Sequence, residues 1–357
     1  MILFDHNIFF LQKYGGISRY FIELCKQMNN HNFDYFIQAT IHQNNYLKNN
    51  NLKKSKSLYL DGYPRYTRKI ISSLNNFFLD KKINDKRFKI LHNTYYGKFE
   101  LKNKLIQICS IYDFTHEKFS KNFNYKRNIK KEAIENSDHF ICISENTKKD
   151  LLEYYKVNEE KISVVPLGGD HLPNAKKNTK ISKPFILYVG YREKYKNFEA
   201  LLDAFLISKR LKNDFDIICF GDKAFTNYER NKIVKTGLEN TVKHVDGDDQ
   251  VLSNLYSMAE CHVITSNYEG FGITVIEASN FECPVIHTGK GSLSDFSDGN
   301  GIFDGSAENL TAVLEKTLYS SDELIKLNLN AKKLKNNFTW NHCYENTIRV
   351  YNKLINI

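Results

Sequence analysis

Apolar and polar positions along this chain alternate between two textures. Short runs rich in β-branched and aromatic residues are each followed by a longer amphipathic stretch of helical length, which predicts parallel βα units. In the first half the predicted strands are ILF from Ile2, FDYFIQA from Phe33, FKIL from Phe88, IQICSI from Ile106, HFICI from His139 and ISVV from Ile162. Helical stretches lie between them at residues 17–28 and 126–135, and Ser144 heads another, SENTKKDLLEYY, as a good N-cap. The segment PLGGDHLPNAKKNTKISKP then breaks the rhythm: Gly, Pro, Asn and Lys dominate and no apolar period survives. The alternation restarts with FILYVG from Phe185 and the helix NFEALLDAFLISK, and continues through strands in DIICFG, VKHV, CHVIT, PVIHT and GIF.

A length of 357 residues exceeds what one core usually supports. The pattern therefore predicts two βα domains, residues 1–170 and 184–339, joined by a linker at 171–183. The last segment, FTWNHCYENTIRVYNKLI, predicts an amphipathic helix that carries the sole tryptophan, Trp340, and is expected to cross back onto the first domain over residues 340–357. Two such domains leave a cleft between them, and ligands of doubly wound sheets bind beyond the carboxyl ends of the strands.

Composition narrows the setting. The seven cysteines are odd in number, form no C-x-x-C pair and mostly sit inside apolar runs, which suits reduced core residues rather than disulfides or a zinc site. The opening MILFDHNIFF lacks a basic leader region and a cleavage site, and no apolar run has the length of a membrane span, so a cytoplasmic, soluble protein is expected. The formal charge of +10 suits contact with anionic lipid head groups, RNA or acidic glycans, and equally a plain lysine-rich surface. No RNP-type motif, zinc module or helix-turn-helix signature is present, so no specific nucleic acid is expected.

Three stretches carry candidate chemistry. In SNYEGFGITVIEASN, from Ser266, Glu269 and Glu277 are eight apart, with Gly270 and Gly272 between them. A strand, a glycine turn and a short helix in that order present the first amides of the helix, near Phe271, Gly272 and Ile273, as a seat for a diphosphate. The two carboxylates beside it suit hydroxyl pairs of sugar and ribose. In VGYREKYKN, Gly190 ends a strand and Arg192 and Lys196 follow, two cations able to stabilise a departing diphosphate without a metal. In YGGISRYFIEL, Gly15 and Gly16 follow the first strand and let backbone amides approach phosphate oxygens, although the dinucleotide fingerprint is absent. A DGD string at 246–248 matches a metal-binding Asp-x-Asp, but it precedes a helix, where capping explains it better.

At these residues the sequence resembles the family 4 glycosyltransferases, the glycosyl transferases group 1. The Glu-x7-Glu element is matched by Glu269 and Glu277, the phosphate-binding Arg and Lys by Arg192 and Lys196, and the N-terminal glycine loop by Gly15 and Gly16. The stretches SIYDFTHEKF and ISENTKKDLL and the terminal helix extend the likeness over nearly the whole chain. The resemblance implies the α/β GT-B fold, two Rossmann-like parallel-sheet domains facing each other across a cleft. It implies a retaining, metal-independent transferase using a GDP- or UDP-linked sugar, with no cofactor. Glu269 would meet the donor sugar and Glu277 the ribose. Many members carry a sugar-facing histidine in the first domain; His92, in LHNTYY, is the candidate here, since at IYDF the histidine of many relatives is replaced by Tyr112 while Asp113 is kept. A glycan or lipid-linked acceptor is expected, with peripheral contact to an anionic membrane. Other enzymes on the fold, a sugar phosphorylase or a sugar-nucleotide epimerase, remain open, as does a non-catalytic RNA- or anion-binding protein.

Overall fold

The computed structural model describes residues 1–97, 105–119, 124–176, 181, 183–192, 194–221 and 223–356, the side chains of 124–127 excepted. The chain divides into two compact units, residues 1–167 with 340–357, and residues 168–339.

In the first unit the strands are β1 Ile2–Phe4, β2 Tyr35–Ile37, β3 Ile41–His42, β4 Leu58–Tyr59, β5 Ile90–Asn93, β6 Ile106–Ile111, β7 His139–Cys142 and β8 Ile162–Val164. Its helices are α1 Asn7–Leu11, α2 Gly16–Asn30, α3 Asn45–Asn49, α4 Arg68–Ile83, α5 Thr115–Phe119, α6 Asn124–Glu135 and α7 Glu145–Tyr155. Six strands form one parallel sheet in the order β2-β1-β5-β6-β7-β8, and β3 and β4 pair separately. Its central strands are buried on both faces, which is why they read as continuous apolar runs rather than alternating ones. Ser144 caps α7 by accepting from the Thr147 amide. Helix α2 turns Phe21, Leu24, Cys25 and Met28 onto the sheet.

The second unit holds β9 Phe185–Val189, β10 Asp216–Phe220, β11 Val242–Val245, β12 Cys261–Ile264 and β13 Val285–His287, ordered β11-β10-β9-β12-β13 and all parallel. Around them lie α8 Phe198–Ile207, α9 Lys209–Asp214, α10 Asn227–Lys235, α11 Asp249–Met258, α12 Ile273–Asn280, α13 Ala307–Leu318 and α14 Ser321–Asn337. The expected GIF strand is only an isolated bridge, His287 to Ile302, because glycine turns on both sides leave it too short to pair further. The final helix, α15 Trp340–Ile355, belongs to the first unit, where Trp340 stacks on Tyr20 at 6.3 Å.

The division falls at Leu167 and Gly168, so residues 168–170, expected at the end of the first domain, and the stretch expected as linker belong to the second unit. Gly169 donates its amide to Phe338 O at 3.2 Å, and a Cβ there would lie 2.5 Å from Ile276 Cγ2. The Lys176 amide donates to Asn254 Oδ1 at 2.7 Å. Residues 177–180 and 182 of that stretch lie outside the described residues. Among the described residues no helix is long and apolar enough to cross a membrane, and the seven cysteines are buried and free.

Each main sheet reverses its direction of growth once. From β1 the chain lays β2 on one side and later β5 on the other; from β9 it lays β10 and β11 on one side, then β12 and β13 on the other. The carboxyl ends of β1 and β5, and of β9 and β12, are therefore the two topological switch points.

Candidate functional site at the strand ends

In the second unit, Gly190 ends β9 with φ +111°, and a 3-10 turn, Lys194–Lys196, leads to Asn197 at φ +51° and into α8. This loop is stitched to the one that follows β12. Thr265 Oγ1 donates to Lys196 O at 2.5 Å and the Asn267 amide to Tyr195 O at 2.8 Å. The stitching brings Lys196 Nζ to 2.6 Å from Glu269 Oε1, with the two side chains 18% and 17% exposed. Glu269 is fixed from behind as well, because its carbonyl accepts from the Ser292 amide at 3.1 Å and from Ser292 Oγ at 3.0 Å.

The glycine turn then opens α12. Gly272 adopts φ +86° at the N-cap, and a Cβ would lie 2.8 Å from Leu293 Cδ2, so both conformation and space call for glycine. Gly270 is buried, and Ile273 is half-buried as the first helical residue. The ring of Phe271 packs edge-on against Phe296 at 5.2 Å and Phe338 at 6.1 Å. Glu277 lies further along the helix, 8% exposed, where it accepts from Tyr256 OH at 3.2 Å and lies 3.3 Å from His171 Nε2. Burial and the nearby Glu277 charge push the Tyr256 hydroxyl well above its usual range. Tyr256 and His171 were not among the expected site residues; the only hint was GGDH, whose histidine opens the stretch read as linker.

Arg192 is placed differently from Lys196. Its side chain is 2% exposed, donates from Nε to Glu229 Oε1 at 2.8 Å and from Nη2 to Lys223 O at 2.5 Å, and lies 5.0 Å from the Phe225 ring. It braces the loops after β9 and β10. The DGD string forms a turn and a cap: Asp248 accepts from the Gln250 and Val251 amides at 3.0 and 3.1 Å. Among the described residues no three His, Cys, Asp or Glu side chains group as metal ligands.

In the first unit the switch point is buried. Asp5 accepts from Thr94 Oγ1 at 2.6 Å, the Asn7 amide at 2.7 Å and the Thr94 amide at 3.0 Å. Burial pushes its carboxyl up to about 7, against the pull of those donors. His6 and Asn93 are buried beside it, and among the described residues His6 Nδ1 and both amide atoms of Asn93 have no hydrogen-bond partner. Gly15 caps α2, and Gly16, exposed, opens it with free space where a Cβ would be.

His92 is not a sugar-facing residue in this structure. It lies within β5 rather than after it, fully buried, and strand alternation turns it under α2 and α15. Nδ1 meets Tyr351 OH at 2.5 Å and Nε2 meets Ser110 Oγ at 2.8 Å, and Phe4 and Phe21 pack on the ring. Burial pulls the imidazole down to about 3, so it stays neutral. Tyr112 is buried too, its hydroxyl donating to Thr94 O at 2.9 Å. Asp113 starts α5 by accepting from the Thr115 amide at 2.9 Å, while its carbonyl accepts from Lys130 Nζ at 2.8 Å.

Comparison with known proteins agrees with this layout. Two family models match in succession: "Glycosyltransferase Family 4" over residues 14–171 and "Glycosyl transferases group 1" over residues 170–334. A probable sucrose-phosphate synthase of Thermosipho melanesiensis is 26% identical over 248 residues, 65% of this chain and 58% of that protein. The match thus covers less than two thirds of this curated relative's length. Among solved structures, sucrose-phosphate synthase from Thermosynechococcus elongatus superposes with a TM-score of 0.78 at 17% identity, over 99% of this chain and 98% of the other. Anabaena Alr3699/HepE, solved with UDP-glucose, does so with a TM-score of 0.74 at 14% identity, over 99% of both chains. These neighbours share the fold: two parallel-sheet α/β units of the GT-B architecture.

Proposed function

Because this chain belongs to the family 4 glycosyltransferases, the glycosyl transferases group 1, we propose that it transfers a sugar, with retention, from a UDP- or GDP-linked donor to a hydroxyl of a glycan or lipid-linked acceptor. The observation that carries this reading is the Lys196–Glu269 pair at the second switch point, held at 2.6 Å beside the glycine-opened N-terminus of α12.

The chemistry follows from that grouping. The donor diphosphate takes the Lys196 ammonium and the first amides of α12. Glu269 then turns to the hydroxyls of the donor sugar, and Glu277, steadied by Tyr256 and His171, to those of the ribose. The bond from the anomeric carbon to the phosphate oxygen breaks, and the acceptor oxygen attacks from the same face. The departing phosphate oxygen receives the acceptor's proton, and the diphosphate charge rests on Lys196 and the helix amides rather than on a metal. Arg192 keeps the cationic loop in place through Glu229.

The test is a thermal-shift panel of UDP, GDP and their hexose conjugates in EDTA, followed by NMR of the product anomer. A specific shift, activity in EDTA and a product of unchanged anomeric configuration support the reading. No nucleotide-dependent shift, or an inverted product, contradicts it.

A further inference from the structure

Helix α4 carries two apolar stripes, and the fold uses one. Ile71, Asn75, Leu79 and Ile83, spaced four apart, face inward. Leu79 and Ile83 join Leu3, Phe88 and Leu91 in a buried cluster. Asn75 exchanges two hydrogen bonds of 2.9 Å with the backbone of Ile41, which fixes the helix to β3. A helix seated this firmly should be polar on its outer face. Instead that face shows Ile70, Leu74, Phe77 and Phe78, with Tyr66 just before the helix; Tyr66, Ile70 and Phe77 are 83%, 64% and 53% exposed.

The charge around this stripe is one-sided. Residues 65–87 hold seven Lys or Arg against two Asp, and one of those, Asp85, is engaged by Arg87 at 2.7 Å. Cations lie against the exposed rings: Arg65 is 4.9 Å from the Tyr66 ring and Lys81 is 4.3 Å from that of Phe77. Arg68 and Lys69 flank the N-terminal end of the helix and Lys82 the C-terminal end. Exposed apolar area of this kind is rare on a surface without a binding role. Aromatic and aliphatic side chains beside long basic ones match the chemistry of a bilayer interface, where the rings sit at head-group depth and the cations meet lipid phosphates. A second copy fits poorly, because a symmetric contact would set this cationic rim against itself.

We propose that α4 and the turn before it form the docking face of this protein for an anionic phospholipid bilayer, with Ile70, Leu74, Phe77 and Phe78 entering the interface. This inference stands apart from the transferase reading, and its test does not use turnover. The full chain is sedimented with vesicles of phosphatidylcholine, with and without phosphatidylglycerol, at low and raised salt. Binding to the anionic vesicles alone, weakened by salt, is expected. The double variant F77S/F78S, whose rings are exposed, should lose at least about tenfold in vesicle affinity with thermal unfolding unchanged. R68E/K69E should lose affinity in the same direction, and K209E, an exposed lysine of the second unit, should bind like the wild type. Absence of binding to anionic vesicles overturns the proposal, as does equal loss in K209E, which would show general charge attraction. Loss of a self-associated species in F77S/F78S by analytical ultracentrifugation, without vesicle binding by the wild type, would assign the face to a second copy instead.

Discussion

The two switch points share a topology and differ in what they hold. At the ends of β9 and β12 stands a cation–carboxylate pair, Lys196 and Glu269, partly open to solvent and next to an eight-residue helix that starts on a left-handed glycine. At the ends of β1 and β5 the polar residues face inward: Asp5 gathers three donors from Thr94 and Asn7, and His6 and Asn93 are buried with unpartnered atoms. One end sets a cation–carboxylate pair beside the N-terminus of a helix. The other locks two strands together and keeps its few unused polar atoms out of water. The same sheet geometry thus carries two different side-chain settings, and residue chemistry, not topology, separates them.

The sharpest way to break this comparison is to disarm the charged end. Glu269→Ala and Lys196→Ala should each lower turnover by about 10²–10³-fold, the range for removing one pre-organised charge or donor; each also leaves its partner's charge unpaired at a largely buried position, so turnover is compared per folded enzyme. A steady-state assay with the donor identified by thermal shift reads this out.

His92 should behave in the opposite way. His92→Ala leaves a cavity and strips Tyr351 and Ser110 of a partner, so unfolding free energy should drop by about 2–4 kcal/mol, while the surviving folded enzyme keeps its turnover. The pH dependence carries the same signature. The folded imidazole, held down to about 3, refuses a proton that the unfolded chain accepts below the ordinary 6.5, so stability is lost as pH falls through that window. Burial likewise holds His262 of the second unit down to about 4. Denaturant melts from pH 7 to 4 should fall less steeply for the His92 variant than for the wild type.

A smaller effect separates backbone from side chain at the charged end. Gly272→Ala forces a Cβ toward Leu293 at φ +86° and should destabilise by about 1–3 kcal/mol, weakening nucleotide binding along with it. Smallest of all, Asp248→Ala removes the cap of α11 and should lower stability by about 1 kcal/mol, with turnover and EDTA insensitivity unchanged. A loss of activity there would point to a metal instead.

Much of this was legible in the amino-acid order, because buried parallel strands must be apolar runs and helices must show a seam. ILF, IQICSI, HFICI and FILYVG became β1, β6, β7 and β9 within about a residue of their apolar limits. The glycine turn and the eight-residue spacing of Glu269 and Glu277 also read correctly as strand, turn and helix. What stayed hidden depends on long-range packing. Whether His92 faced a ligand or the core was decided by Tyr351, far away in sequence on α15. Arg192 and Lys196 look equivalent in the chain, yet Glu229, in the first turn of α10, draws the first into a buried brace. His171 sits in a glycine- and lysine-rich stretch with no periodic signal, and only the fold sets it beside Glu277.

The most direct test is calorimetric titration of UDP and GDP, in EDTA, into the wild type, Lys196→Ala and His92→Ala. The account predicts that whichever nucleotide binds the wild type loses at least about tenfold in affinity in Lys196→Ala, as expected when a charge-assisted phosphate contact is removed, and keeps it in folded His92→Ala. Equal affinity in the wild type and Lys196→Ala would contradict the claim that the ends of β9 and β12 hold the diphosphate.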